Sequence, residues 1–207
     1  MNLDIELKLA IKAAKEAGNF LIHEKASITK VIYSQQKDIK LEADTQTEKL
    51  IKEILSTGSE FPILGEEFGS SVQDLGISYW VVDPLDGTAN YARGIPLCCV
   101  SIALIHEENP VLGVIYDFNN DELFSGSTMH EAKLNNKNIN VSQIKDKSAA
   151  TLITGLPAKT NFSDSALNKM IVDFQSWKKV RMIGSAAMAS VYVCLLYTSD
   201  AADELRS

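Results

Sequence analysis

Between Leu3 and His23 apolar residues return every three or four positions, at Leu7, Ile11, Ala14, Ala17 and Leu21, while Lys8, Lys12, Lys15 and Glu16 take positions between them. That spacing puts the apolar set on one stripe of an α-helix and predicts an amphipathic helix over 3–23. A second helix is expected to start at Asp44, whose carboxylate would cap it, to carry Leu50, Ile51, Ile54 and Leu55, and to stop near Gly58.

Beyond Gly58 the pattern changes to that of strands. Phe61 to Glu67 reads as a short apolar strand ending in acid, and Tyr79–Asp83, Val100–Ile105, Val111–Asp117 and Glu122–Ser125 read as further strands. Turn chemistry lies at Glu107–Pro110, at Asn119 and Asn120, and in an Asn-rich segment between Leu134 and Val141. Leu152–Thr154 predicts a strand, Ser165–Trp177 a helix with Trp177 in a core or interface, and Gly184–Val193 a helix of mostly small residues. Helices, then a run of antiparallel strands, then alternating elements predict a layered α+β fold.

The chain has 207 residues, 45% apolar and 23% charged, enough to bury a core. A net charge of −7 argues against a general nucleic-acid binder, which needs clustered Lys and Arg. An acidic protein that handles a phosphate ester needs a cation between them. Charges alternate with apolar residues in Met1–Leu9, unlike a signal peptide, and no apolar run approaches membrane-spanning length, so a cytoplasmic location without membrane attachment is expected. The three cysteines suit neither a disulfide framework nor a metal site, and the adjacent pair Cys98 and Cys99 is expected to be buried as small apolar residues. His23, His106 and His130 are scattered and show no ligand pairing.

Trp80-Val81-Val82-Asp83-Pro84-Leu85-Asp86-Gly87-Thr88-Ala89-Asn90 is an apolar strand that ends in two carboxylates, a glycine and a hydroxyl. Asp83 and Asp86, on a turn containing Pro84, can converge on one point at the strand end, as hard cations such as Mg²⁺ require. Gly87 and Thr88 would open a helix whose backbone N–H groups face an anion. Placing the end of Phe61-Pro62-Ile63-Leu64-Gly65-Glu66-Glu67 beside that tip would add Glu66 and make a metal site from two strand ends. The bland alternatives are turn and helix caps for the aspartates and a solvated acidic loop for the glutamates.

In order and spacing, Lys37-Asp38 with Asp44, Gly65-Glu66-Glu67, the stretch Trp80–Asn90 and Gly184-Ser185-Ala186-Ala187 resemble the inositol monophosphatase family. The Asp-Pro-x-Asp-Gly-Thr core is highly specific in that context. The resemblance implies the layered α/β/α/β/α sandwich of the lithium-sensitive sugar phosphatases and Mg²⁺-dependent hydrolysis of a phosphate monoester on a small polyol or sugar, inositol monophosphate foremost. It implies that Glu66, Asp83 and the Leu85 carbonyl bind one Mg²⁺ and that Asp83 with Asp86 forms part of another site. Gly87 and Thr88 would hold the phosphate. Asp44 with Thr88 would polarise the attacking water, with Glu66 helping to position a further, weaker ion. Gly184, Ser185 and Ala186 would line the substrate's ring, Lys37 would lie close to the metal and phosphate, and the parent would be a homodimer. Bisphosphate nucleotidase, fructose bisphosphatase and histidinol phosphatase activities are the alternatives within the superfamily. A phosphatase using an aspartyl nucleophile is disfavoured, because its two aspartates are two apart with no proline at this place.

The resemblance extends from about Leu3 to Val193. Cys194 to Glu204 instead resembles, residue for residue, the translation of a transposase sequencing adapter. The expected organisation is therefore residues 1–193 of a phosphatase domain, incomplete at the C-terminus, followed by a non-native tail over 194–207. The family's remaining metal aspartate, in a Trp-Asp-x-Ala motif, is expected beyond the cut. Met188, Val191 and Val193 are expected to be left exposed, and the fragment as written to be a non-catalytic protein.

Overall fold

The computed structural model describes residues 1–25, 31–35, 38–156 and 160–195. They divide into two compact units, Met1–Asn138 and a second from Ile139 onward.

The first unit opens with α1 (Leu3–His23), capped by the Asn2 side chain, which accepts from the N–H groups of Asp4 (3.1 Å) and Ile5 (3.4 Å). Its buried face is Leu3, Glu6, Ala10, Ala13, Ala14, Ala17, Gly18 and Leu21, whereas Leu7 and Ile11 are only partly covered. The helix is thus rotated toward its alanines relative to the expected stripe. Small residues let it lie close to the sheet: a Cβ on Gly18 would stand 2.6 Å from the Tyr116 ring. The hairpin of β1 (Val31–Gln35) and β2 (Asp38–Leu41) follows and was not expected. The next helix, α2 (Glu42–Gly58), begins before Asp44, so that residue is not its cap; it lies in the first turn and is buried.

Eight strands form the sheet: β3 (Ile63–Gly65), β4 (Gly69–Ser70), β5 (Ser78–Asp86), β6 (Cys99–His106), β7 (Asn109–Asp117), β8 (Glu122–Ser127), β9 (His130–Leu134) and β10 (Lys137–Asn138). Their order is β10-β9-β8-β7-β6-β5-β3-β4, and every neighbouring pair is antiparallel except β3 with β5. A short helix, α3 (Thr88–Ala92), follows β5 directly. The β6–β7 hairpin turns through Glu107 (φ 48°) and Glu108 (φ 62°), and the β9–β10 hairpin through Asn135 (φ 45°) and Asn136 (φ 67°). Left-handed residues at both central positions give the turn twist that matches paired strands. Leu21, Ile51 and Leu55 of the helices share one core with Trp80, Leu85, Val100, Ile102 and Leu104 of the sheet.

In the second unit β11 (Thr151–Thr154) pairs in parallel with β12 (Lys179–Met182) across the crossover helix α4 (Asp164–Ser176). Trp177 is buried with Ala150 and Leu152, its Nε1–H donating to the Asp173 carboxylate at 3.3 Å. The final helix, α5 (Ala186–Leu195), packs on β11. That packing corrects an expectation: Met188 and Val191 are 0% and 6% exposed rather than open to solvent, and Val193 is half-buried. The chain therefore has the α+β class expected from its sequence.

Candidate active site

Two aspartates three residues apart on a regular strand would point to opposite faces. Here β5 keeps register with β6 from Ser78 opposite His106 to Asp83 opposite Ser101, then slips, so that Asp86 stands opposite Cys99. Pro84 lies in the slip and has no N–H to give the ladder, the usual setting for a bulge. The extra residue restores the alternation for Asp86, and the two aspartates act on one another electrostatically.

Strand β3 runs parallel to β5 with Gly65 opposite Val82, and the Glu66 N–H donates to the Val82 carbonyl at 3.1 Å. Strand β3 ends opposite Val82, so Glu66 stands beside Asp83, and the two carboxyls act on one another. Burial first, and then the charges of Glu66 and Asp86, push the Asp83 carboxyl up to about 8. The Leu85 N–H, donating to Asp83 Oδ1 at 3.1 Å, pulls the other way.

From α2, the Asp44 carboxylate accepts a hydrogen bond from Thr88 Oγ at 2.9 Å; the same hydroxyl lies 3.0 Å from the Leu85 carbonyl. Asp44 is 2% exposed, so its carboxyl meets this hydroxyl away from bulk water. Thr88 owes its position to Gly87, which turns the chain with φ 89°; a Cβ there would come within 2.7 Å of the Leu97 carbonyl oxygen. Helix α3 is anchored by Tyr91, whose hydroxyl donates to the Leu21 carbonyl at 2.6 Å.

Glu48, one helical turn after Asp44, is a residue that the sequence reading missed. Its buried carboxylate accepts from the N–H groups of Glu67 (2.7 Å) and Phe68 (3.2 Å) and pairs with Lys52 Nζ at 2.8 Å. The signal was present: Asp44, Glu48, Ile51 and Leu55 recur at helical spacing, placing an acid on the apolar stripe of α2.

The strand ends thus bring together Asp44, Glu66, Asp83, Leu85, Asp86, Gly87 and Thr88. Lys37 lies outside the described residues. Gly184, Ser185 and Ala186 belong to the second unit, where Gly184 (φ 72°) makes a left-handed turn and the Ser185 hydroxyl caps α5 by accepting from the Met188 N–H at 3.2 Å. His106 bonds Ser78 at 2.8 Å and His130 bonds Asp4 at 2.6 Å, both outside this constellation. Cys98 and Cys99 are buried as expected, and burial pushes the Cys98 thiol up to about 11.

Among the described residues no three His, Cys, Asp or Glu side chains are already gathered as a metal cage. The chemistry of the carboxylates nevertheless fits a hard cation: Asp83 is half-buried beside two acids, and the groups that shift it include no lysine or arginine. A divalent ion with oxygen ligands would relieve that repulsion.

The sequence matches the inositol monophosphatase family over residues 2–197, four residues beyond the boundary expected at Val193. It is 37% identical over 191 residues to the Nus factor SuhB of Xylella fastidiosa, covering 90% of this chain and 69% of that protein. Inositol monophosphatase 1 of Solanum lycopersicum is 32% identical over 200 residues, with 93% and 72% covered. The extragenic suppressor protein suhB of Bartonella henselae superposes with a TM-score of 0.82 at 30% identity, over 90% of this chain and 73% of that one. An IMPase/NADP phosphatase complexed with Mg²⁺ and phosphate has the same fold, with a TM-score of 0.75 at 21% identity over 86% and 67% of the two chains.

Proposed function

Because the chain belongs to the inositol monophosphatase family, we propose that it carries the catalytic strand ends of a Mg²⁺-dependent phosphatase acting on a small polyol or sugar phosphate, with inositol monophosphate the first candidate. The observation that carries this reading is the meeting of Glu66, Asp83 and Asp86 at the ends of two neighbouring strands, beside the Asp44–Thr88 hydrogen bond. The relative named inositol monophosphatase and the fold neighbour holding Mg²⁺ and phosphate support it.

Glu66, Asp83, Asp86 and the Leu85 carbonyl would hold the metal. Bound there, Mg²⁺ would neutralise charge on the phosphoryl oxygens and lower the pKa of water in its shell. Asp44 accepts the Thr88 proton, which leaves the Thr88 oxygen able to accept a hydrogen bond from a water and orient it. As that water's oxygen bonds to phosphorus and the ester P–O bond breaks in line, its proton passes through Thr88 toward Asp44; the departing alkoxide takes a proton from solvent. The N–H groups at the Gly87–Thr88 turn would hold the phosphate. Gly184, Ser185 and Ala186 would share in the choice of substrate.

Phosphate release from inositol 1-phosphate with and without Mg²⁺, in this chain and in the full-length product of its gene, tests the reading. Mg²⁺-dependent release in the full-length product is expected, and no release from any polyol or sugar phosphate in that product would reject it. The name Nus factor, carried by the 37% identical relative, favours a second reading in which the protein serves as such a factor. A retained response to Mg²⁺ without hydrolysis is the result that would favour it.

A further inference from the structure

Glu48 shares the buried stripe of α2 with Asp44, Thr47, Ile51 and Leu55, and its side chain is 0% exposed. The pair of buried Glu48 with the partly exposed Lys52 gives little net stability, because desolvation of the carboxylate offsets the attraction. The contacts of Glu48 therefore call for another account. Oε2 accepts the Glu67 N–H at 2.7 Å and Oε1 accepts the Phe68 N–H at 3.2 Å, and these are the two amides directly after Glu66. On the other side of Glu66, a Cβ on Gly65 would fall 1.9 Å from Glu48 Oε1, so the carboxylate is seated against the backbone there as well. One carboxylate thus spans the turn that presents Glu66, and bonds between a charged acceptor and backbone amides are the stronger kind. Its neighbour on the same helix face, Asp44, reaches Thr88.

We propose that Glu48 is a positioning residue for the metal site: it clamps the turn between β3 and β4 so that Glu66 stays beside Asp83, and Mg²⁺ affinity depends on that clamp. Helix α2 then sets both halves of the chemistry, the water-orienting pair through Asp44 and the metal arm through Glu48. The inference rests on the reading that Glu66 and Asp83 hold Mg²⁺.

Titration of the thermal midpoint with Mg²⁺ in the unaltered chain, in Asp83→Asn and in Glu48→Gln separates the two claims. Glu48→Gln keeps the size and one acceptor but loses the charged fork. It should need about 10–100-fold more Mg²⁺ for half the shift, the range found when a group supporting a metal ligand is removed. Asp83→Asn should lose the shift altogether. If the unaltered chain shows no shift, the metal reading fails and this inference fails with it. If that chain responds and Glu48→Gln responds at the same concentration, the metal reading stands and the clamp is refuted. Should Glu48→Gln not fold, amide exchange in the unaltered chain decides: Mg²⁺ should slow exchange at the Glu67 and Phe68 N–H groups, and exchange there that is indifferent to Mg²⁺ overturns the inference.

Discussion

Asp83 is asked to be charged for a cation while burial, Glu66 and Asp86 all favour its protonated form, up to about 8 against an ordinary 3.8. A carboxyl with a raised folded-state pKa keeps its proton in the native chain after the unfolded chain has lost it. Between those two pKa values the native state therefore binds more protons, and stability falls as pH rises; below the lower value the group has no effect. Without metal, the thermal midpoint should drop between about pH 4 and about pH 8, and Mg²⁺ should restore it most at the alkaline end. Asp83→Asn should flatten that decline and unfold later than the unaltered chain at the alkaline end without metal, yet abolish Mg²⁺-dependent hydrolysis in the full-length product. Scanning calorimetry across pH, with and without Mg²⁺, checks both halves; a midpoint that rises through this range would contradict the assignment. Thr88 makes a different demand. If its hydroxyl orients the attacking water, Thr88→Ala should lower kcat in the full-length product by about 10²–10⁴-fold and leave KM nearly unchanged. A change confined to KM would reassign the residue to holding phosphate.

At the scale of elements, α1 lies tightly against β7. Replacing Gly18 by Ala would help the helix by about 1 kcal/mol in propensity, but the new Cβ would meet the Tyr116 ring and the Phe118 Cβ at 2.6 and 2.7 Å. Overpacking of a tight core costs about 1–3 kcal/mol, so Gly18→Ala should destabilise on balance, as a urea midpoint would show. The sequence reading foresaw this helix but not its rotation, because Leu7 and Ile11 suggested a face that the contact with β7 reserves for alanines. Strands β5 to β8 were legible because apolar alternation and turn residues act locally. Strand β12, Lys-Val-Arg-Met, was not, since half of it is charged and the strand it pairs with among the described residues is the distant β11. The site was legible where chemistry crowds into a short motif at a strand end, as at Asp83–Thr88. Glu48 was not, because a glutamate on a helix ordinarily faces water, and only the fold puts backbone amides in front of it. Asp44 was named for the right partner, Thr88, and misplaced as a cap, a difference set by where α2 begins.

For the molecule as a whole, the division into units decides what can be tested apart. Among the described residues the larger apolar core lies between Leu3 and Leu123, and Trp177 with its neighbours forms a separate one. Asp44, Glu48, Glu66, Asp83, Asp86 and Thr88 all fall in the unit that ends at Asn138, whereas Gly184, Ser185 and Ala186 fall in the other. A unit of that length lies within the range in which one core supports independent folding. A chain of residues 1–138 should therefore unfold cooperatively, and Mg²⁺ should raise its midpoint with a half-effective concentration within about threefold of that for the longer chain, a difference below 1 kcal/mol. Ring recognition, in contrast, should go with the second unit, so inorganic phosphate should still enhance the Mg²⁺ shift in residues 1–138 while inositol should add nothing. Calorimetry with Mg²⁺, phosphate and inositol in turn reads all three. A cooperative 1–138 that ignores Mg²⁺ would mean that the second unit supplies a ligand the first cannot do without, and the carboxylates at the strand ends would then be only part of the metal site.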